Sequence, residues 1–438
     1  MTAFEALFVP ADLRQAVSSR SWLLAMLETE RALAAAGLVP GASAEAIGSA
    51  CSDADAYSWD GLLDDGRAVG NPVEPLVRAL RARVGEEHER FVHLGATSQD
   101  VLDTAAMLVA RNAVALVLAH VDTAADACAA LAREHRSTPM AARTLLQQAV
   151  PTTFGLVAAG WLGSLLDARA RLADVGESGL AVQLGGAAGT LSTLGDDGVR
   201  VVDALAQELE LAVPTLPWHT NRVRVTELGT ALATLAGVCG KIGLDVVLLS
   251  QTEVDEVREA RGGGSSAMPQ KRNPVKATLA RSCGALAGAH ASVLQHSLVQ
   301  EHQRAAGAWH AEWEALCGVL GFTGGAAAAV AESLGGLEVD AARMRVNLDA
   351  TGGLVLAERV AAALAERLGR GAAHELVAAA AEAPSFRDAL LADPRAGLDV
   401  EEVDTLLDPT TYLGSAGAFV DRALARYDTE TDGRRGGS

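Results

Sequence analysis

An all-α architecture is predicted by three features of this sequence. Half of the residues are hydrophobic but only 4% are aromatic, so the apolar content is mostly Ala, Leu and Val, and Ala and Leu are strong helix formers. Prolines are absent over long stretches, including everything between Pro75 and Pro139. Apolar residues recur at three and four positions through Ser21–Arg31, the period of one helical face. Helix packed on helix is the architecture these features favour.

Taken in order, residues up to about 100 are broken by Pro10, Pro40, Pro72 and Pro75 and read as several short helices. Gly70-Asn71-Pro72-Val73-Glu74-Pro75 is a turn into a helix through Arg83. One long helix is expected over 101–135 and a second over 152–175, with Arg143–Thr153 between them as a polar loop. The proline-free segment 223–260 would extend roughly 50 Å at about 1.5 Å per residue. Another helix-prone segment, 275–333, is interrupted only by glycines. Helices of this length belong in an elongated bundle, commonly completed by other subunits. Beyond 350 a smaller helical region is interrupted by Pro384, Pro394 and Pro409, and the polar tail from Thr429 to Ser438 is expected to be disordered. At 438 residues the chain has room for two or three domains, and the pattern divides it at 1–104, 105–349 and 350–438.

The net charge of −19 argues against a nucleic-acid or anionic-membrane surface. An anionic substrate would have to be drawn in by locally concentrated Lys, Arg and helix N-termini. The five cysteines, Cys51, Cys128, Cys239, Cys283 and Cys317, are odd in number and never spaced as C-x-x-C. That pattern fits reduced thiols in a cytoplasmic protein rather than a zinc site or disulfide framework. No stretch of 18 residues reads as a membrane span, and no basic leader follows Met1.

The densest chemical run is Gly262-Gly-Gly-Ser265-Ser266-Ala-Met-Pro-Gln-Lys271-Arg-Asn273-Pro274. Its Gly/Ser content alone reads as a linker, but a plain linker has no need for Met-Pro-Gln-Lys-Arg-Asn-Pro. A Walker phosphate loop is excluded, because no Gly precedes Lys271 and no Ser or Thr follows it. What remains is a loop carrying hydroxyls beside an ammonium, suited to an anionic substrate. In His93-Leu-Gly-Ala-Thr97-Ser98-Gln-Asp100, a helix N-cap and a carboxylate-binding helix start are both open readings. Arg143-Thr-Leu-Leu-Gln-Gln148 is either a solvated loop or a carboxylate-recognition segment. Gln183-Leu-Gly-Gly-Ala-Ala-Gly-Thr190 follows a helical segment and lacks the strand–turn–helix context of a dinucleotide fingerprint. His219 reads equally as a site, core or surface residue. Arg304, Ala308, Trp309, Glu312 and Trp313 fall near one helical face, where packing is the commoner role.

Together these stretches resemble the fumarase/aspartase superfamily along nearly the whole chain. Gly264 to Pro274 matches its Gly-Ser-Ser-x-Met-Pro-x-Lys-x-Asn-Pro signature at every defined position. The resemblance implies an all-α, three-domain subunit whose long central helices assemble into a homotetramer, with active sites shared among subunits. The 93–100, 143–151, 183–190, 309–313 and 412–416 runs are similar to its 3-carboxy-cis,cis-muconate cycloisomerase branch. Adenylosuccinate lyases are the nearest competitor. They carry a general-acid His where this chain has Leu145, which cannot exchange a proton.

The implied chemistry is intramolecular addition of a carboxylate across a C=C bond of a small polycarboxylate. By resemblance, Ser265 exchanges the carbon proton with Lys271 stabilising its anion, and Ser266, Lys271 and Asn273 hold a carboxylate. Thr97, Ser98, Arg143, Gln148 and Arg304 are the further substrate-binding candidates. No metal, flavin or nucleotide is expected, because the substrate's own carboxylate is the electron sink.

Overall fold

A computed structural model describes residues 4–260, 263, 264, 268 and 271–436 of the chain. The elements that position the site are helices α1 (Ser19–Ala35), α2 (Val73–Val84), α3 (Ser98–Glu134), α4 (Phe154–Asp174), α5 (Val223–Leu249), α6 (Val275–His296), α7 (Ala308–Leu334) and α8 (Ala416–Gly436). Short strands decorate them: β1 (Pro139–Thr144), β2 (Gln147–Thr153), β3 (Val257–Glu259), β4 (Gly263–Gly264), β5 (Arg272–Asn273) and β6 (Leu337–Val339). The all-α expectation holds, and α3 and α4 fall within a few residues of their expected bounds.

Four local expectations are corrected. Residues 139–153 form an antiparallel hairpin rather than a loop, with Thr144 opposite Gln147 across a two-residue turn. The segment 223–260 is not one helix: α5 ends at Leu249 and the chain turns, through Asp255 at φ 51°, into β3. The segment 275–333 splits into α6 and α7 around a break where His302 and Gly307 both have positive φ. Glycine count alone could not place that break, since most glycines within α6 and α7 are tolerated by the helices. The tail is helical through Gly436, because α8 continues across it.

The chain forms two compact units. The first comprises Met1–Asp122, Asp167–Lys241 and Leu279–Ala329. Within it α5 and α6 approach closely, since a Cβ on Gly284 would lie 2.8 Å from the Ala236 carbonyl. The second comprises Thr123–Leu166, Ile242–Thr278 and Val330–Ser438. Its C-terminal core gathers Val360, Leu364, Leu376, Phe386, Leu390 and Val403. There α8 is fastened by a bidentate Arg136–Asp421 pair and by the Tyr427 hydroxyl donating to Asp126.

Contrary to the sequence expectation, α3, α5 and α7 are each long and apolar enough to cross a membrane by length and composition. Their most apolar windows are 72%, 44% and 78% buried within the chain, respectively. In α3 and α7 this apolarity serves the helical core. Burial pushes the thiols of Cys51, Cys239, Cys283 and Cys317 up to about 12, the behaviour of packed, unreactive cysteines.

Candidate active site

The first unit builds a site around the start of α3. Asp100, the third residue of the helix, reaches back to accept from the Thr97 N–H at 2.9 Å, which is half of a capping box. The same buried carboxylate accepts from the Gly185 N–H at 3.0 Å, the Gly186 N–H at 2.9 Å, Gln183 Nε2 at 3.1 Å and His219 Nε2 at 2.6 Å. One aspartate thus ties together the 93–100 turn, the glycine-rich 183–190 run and the Trp218–His219 turn. Gly186 is required there, since its φ is +66° and a Cβ would lie 2.8 Å from the Gly95 carbonyl. His219 is therefore a buried structural partner of Asp100. The Thr97 and Ser98 hydroxyls make no hydrogen bond among the described residues, and both are half-buried at the positive end of a helix of 37 residues.

One turn further along α3, Asp103 meets Arg222. Arg222 Nη1 and Nη2 donate to its two oxygens at 2.7 and 2.9 Å, while Nε and Nη2 reach Glu312. All three side chains are almost fully buried. Burial pushes the Glu312 carboxyl up, and Arg222 opposes that shift. Trp309 Nε1 donates to Asp103 at 2.9 Å, so Trp309 and Glu312 do pack as their helical face suggested. Arg304 is not on that face; it precedes α7.

Gln99 joins this buried network to Arg304. Its Nε2 donates to Asp103 at 3.1 Å and to the His219 carbonyl at 2.9 Å, and its Oε1 accepts from Arg304 Nη1 at 2.9 Å. Arg304 Nη2 donates to the carbonyls of Gly186 and Ala187 at 3.2 and 2.9 Å. All of these acceptors are neutral, and among the described residues Arg304 has no carboxylate partner.

Thr97 and Ser98 also line a cavity of about 560 Å³ with Arg78, Arg81 and His93. His93, at φ 63°, bonds through Nδ1 to the buried Glu30 at 2.6 Å. Burial works against the imidazolium, but attraction and the hydrogen bond to Glu30 outweigh it, and the His93 pKa is raised.

The second unit holds the other candidates. Arg143 Nη1 and Nη2 form a bidentate pair with Glu256 at 2.9 and 2.7 Å, and Glu256 is completely buried. Asn347 Nδ2 donates to the same carboxylate at 2.8 Å, and Gln148 Nε2 donates to the Asn347 carbonyl at 3.0 Å. The hairpin turn between β1 and β2 places Leu145 and Leu146 at φ 53° and 64°, and they are 97% and 74% exposed. Positive φ at both turn positions is type I′ geometry, normally filled by Asn-Gly.

In the signature loop, Asn273 lies in β5 opposite Gly263, and the exposed Lys271 donates its N–H to the Met268 carbonyl at 3.1 Å. Ser265 and Ser266 lie outside the described residues. The helix start after the loop is capped by Glu259, which accepts from the N–H groups of Lys276 and Ala277 at 3.1 and 2.8 Å and from Ser333 Oγ at 2.7 Å.

Hydroxyls at a helix start, an arginine held by neutral acceptors and a Ser-Ser/Lys/Asn run are groups suited to carboxylate substrates. A family model described as "Lyase" matches residues 10–287, and one described as "Adenylosuccinate lyase C-terminus" matches 353–423. The chain belongs to this lyase family, within the fumarase/aspartase superfamily. It is 47% identical to a 3-carboxy-cis,cis-muconate cycloisomerase of Bradyrhizobium diazoefficiens, over 97% of this chain and 98% of that one. It is also 47% identical to a nitrosuccinate lyase of Streptomyces davaonensis, over 94% and 92%. The crystal structure of the 3-carboxy-cis,cis-muconate lactonizing enzyme from Pseudomonas putida superposes with a TM-score of 0.93 at 43% identity, covering 98% of this chain and 99% of that one.

Proposed function

We propose that this chain is a cycloisomerase converting 3-carboxy-cis,cis-muconate to 4-carboxymuconolactone. The observation that carries the reading is end-to-end similarity to such enzymes together with Leu145 on the β1–β2 turn. The reaction adds one substrate carboxylate across a C=C bond: a C–O bond forms at one carbon and a proton is delivered to its neighbour, α to a second carboxylate. In reverse, the leaving group is a carboxylate, which needs no proton to depart. An adenylosuccinate-type elimination expels an amine and needs a general acid, and Leu145 offers none.

Ser265 delivers and removes the carbon proton, with Lys271 stabilising its alkoxide. Lys271, Ser266 and Asn273 hold a carboxylate, and Thr97, Ser98 and Arg304 receive others at the α3 start. The charge that builds on the carboxylate α to the reacting carbon is what Lys271, Ser266 and Asn273 stabilise. Arg143 acts by holding the hairpin, since Glu256 occupies its guanidinium. Gln148 is tied to Asn347 through Nε2 alone and keeps a buried Oε1, unpartnered among the described residues, that could receive a substrate group.

The working form is a cytoplasmic homotetramer with sites shared among subunits. Supporting this, the apolar window of α5 is only 44% buried within one chain, and two leucines stand exposed on a strained turn. A second reading, β-elimination of nitrite from a nitrosuccinate, is favoured by the Streptomyces relative of equal identity. Nitrite also leaves unprotonated, so Leu145 does not separate the two. Incubation with 3-carboxy-cis,cis-muconate tests the proposal: lactonisation removes the conjugated diene and its ultraviolet absorbance. Unchanged absorbance, with nitrite released from nitrosuccinate, would replace the first reading by the second.

A further inference from the structure

We infer that Gln99 is a positioning residue that holds Arg304 as a charged but un-neutralised donor for a substrate carboxylate. The inference rests on the reading of Arg304 as a substrate contact and adds the device that makes it one. Gln99 is 1% exposed, so each polar atom of its amide needs a partner. Its Nε2 faces two acceptors, the Asp103 carboxylate and the His219 carbonyl. The amide can therefore point only one way, with Oε1 toward Arg304 Nη1. Asp103 is itself fixed by two Arg222 nitrogens and by Trp309 Nε1. The orientation of Arg304 is thus inherited from a buried ion-pair network without the charge being shared with it.

The arrangement has a chemical purpose in an acidic protein. A carboxylate in place of the Gln99 oxygen would aim Arg304 equally well but would cancel its charge, as Glu256 does for Arg143. A neutral acceptor fixes geometry and leaves the guanidinium attractive to an anion. The Gly186 and Ala187 carbonyls complete the cradle, and the Gly186 N–H is held in turn by Asp100. Two consecutive residues of α3 thereby divide the work: Asp100 shapes the loop, and Gln99 aims the cation.

The test is a double-mutant cycle on the full-length enzyme with Gln99→Met and Arg304→Met, reading kcat, KM and Tm for each. Arg304→Met is expected to raise KM about 50-fold and Gln99→Met about 10-fold, with kcat within about threefold in both, the pattern of lost uniform binding. The double variant is expected to bind no worse than Arg304→Met alone, because Gln99 acts only through Arg304. A Gln99→Met enzyme with unchanged KM, or a double variant whose KM losses multiply, would overturn the inference. An unchanged KM in Arg304→Met would instead overturn the reading of Arg304, and the two failures are separable. If Gln99→Met does not yield folded protein, Gln99→Glu puts the same question. Its carboxyl would lie between the Asp103 carboxylate, which opposes ionisation, and the Arg304 guanidinium, which favours it. Once ionised it cancels the Arg304 charge, so KM should rise with pH as this side chain ionises. A Gln99→Glu profile parallel to that of the wild type would count against the proposal.

Discussion

Arg143 and Arg304 were both substrate-binding candidates in the sequence, Arg143 ahead of Arg304, and the structure gives them opposite surroundings. Arg143 lies in a bidentate pair with a completely buried carboxylate, whereas Arg304 is held by a side-chain amide and two backbone carbonyls. A guanidinium neutralised by its own chain braces structure; one held only by neutral acceptors keeps its attraction for a ligand. The difference lies in the partner and not in the arginine, and local sequence around position 143 contains no sign of Glu256.

The largest expected effect lies outside this pair. Ser265→Ala removes the proposed proton carrier, so kcat should fall by about 10³-fold or more while Tm stays the same. Turnover near that of the wild type would remove Ser265 from the chemistry. Next comes Arg143→Met, which strands Glu256 as a buried, uncompensated charge and should cost about 3–5 kcal/mol in denaturant unfolding. If that variant instead kept its stability and lost substrate affinity, the contrast between the two arginines would collapse.

A third, smaller effect tests the Glu30–His93 pair beside the Thr97–Ser98 cavity. The His93 pKa is raised in the folded state, so the pair's stabilisation is fully present below the unfolded histidine pKa of about 6.5. It is lost as pH rises through the folded value. Glu30→Gln should therefore be destabilised by about 2–3 kcal/mol near pH 5 and by progressively less at higher pH. A stability gap that widens with pH would contradict this assignment.

The smallest effect concerns the β1–β2 turn. Replacing Leu145-Leu146 by Asn-Gly relieves two left-handed leucines and should stabilise the isolated fold by about 1–2 kcal/mol. If the exposed leucines pack in the assembled enzyme, size-exclusion chromatography should show weakened assembly or kinetics should show reduced turnover. A variant with unaltered stability would show that the turn is not strained, and one with raised stability but unaltered assembly and kinetics would show that the strain serves neither.

Much of this was legible in the sequence. The proline-free runs and the Ala/Leu content gave α3 and α4 to within three residues at each end, because helix propensity and periodicity are local properties. The signature match pointed to Ser265, Lys271 and Asn273 because that loop is contiguous. The breaks at 250–260 and 297–307 were not legible, since they depend on single residues adopting positive φ, such as Asp255 and His302, without a glycine or proline at that position. Nor were the carboxylates that organise the site. Asp100 reads locally as a cap residue, and Asp103, Glu256 and Glu312 read as ordinary helix charges until folding brings Arg222 or Arg143 to them across 90 or more residues. The one available hint was the spacing of Gln99, Asp100 and Asp103, which puts three polar groups on the first turns of the helix just ahead of the apolar run Ala105–Ala110.

The most direct test of the proposed activity is the ratio of kcat/KM for 3-carboxy-cis,cis-muconate to that for nitrosuccinate, measured on one preparation by diene absorbance and nitrite release. A cycloisomerase should favour the muconate by at least about 100-fold, the discrimination that groups fitted to a third carboxylate can supply. A ratio below one would contradict the account and assign the chain to the nitrite-eliminating branch.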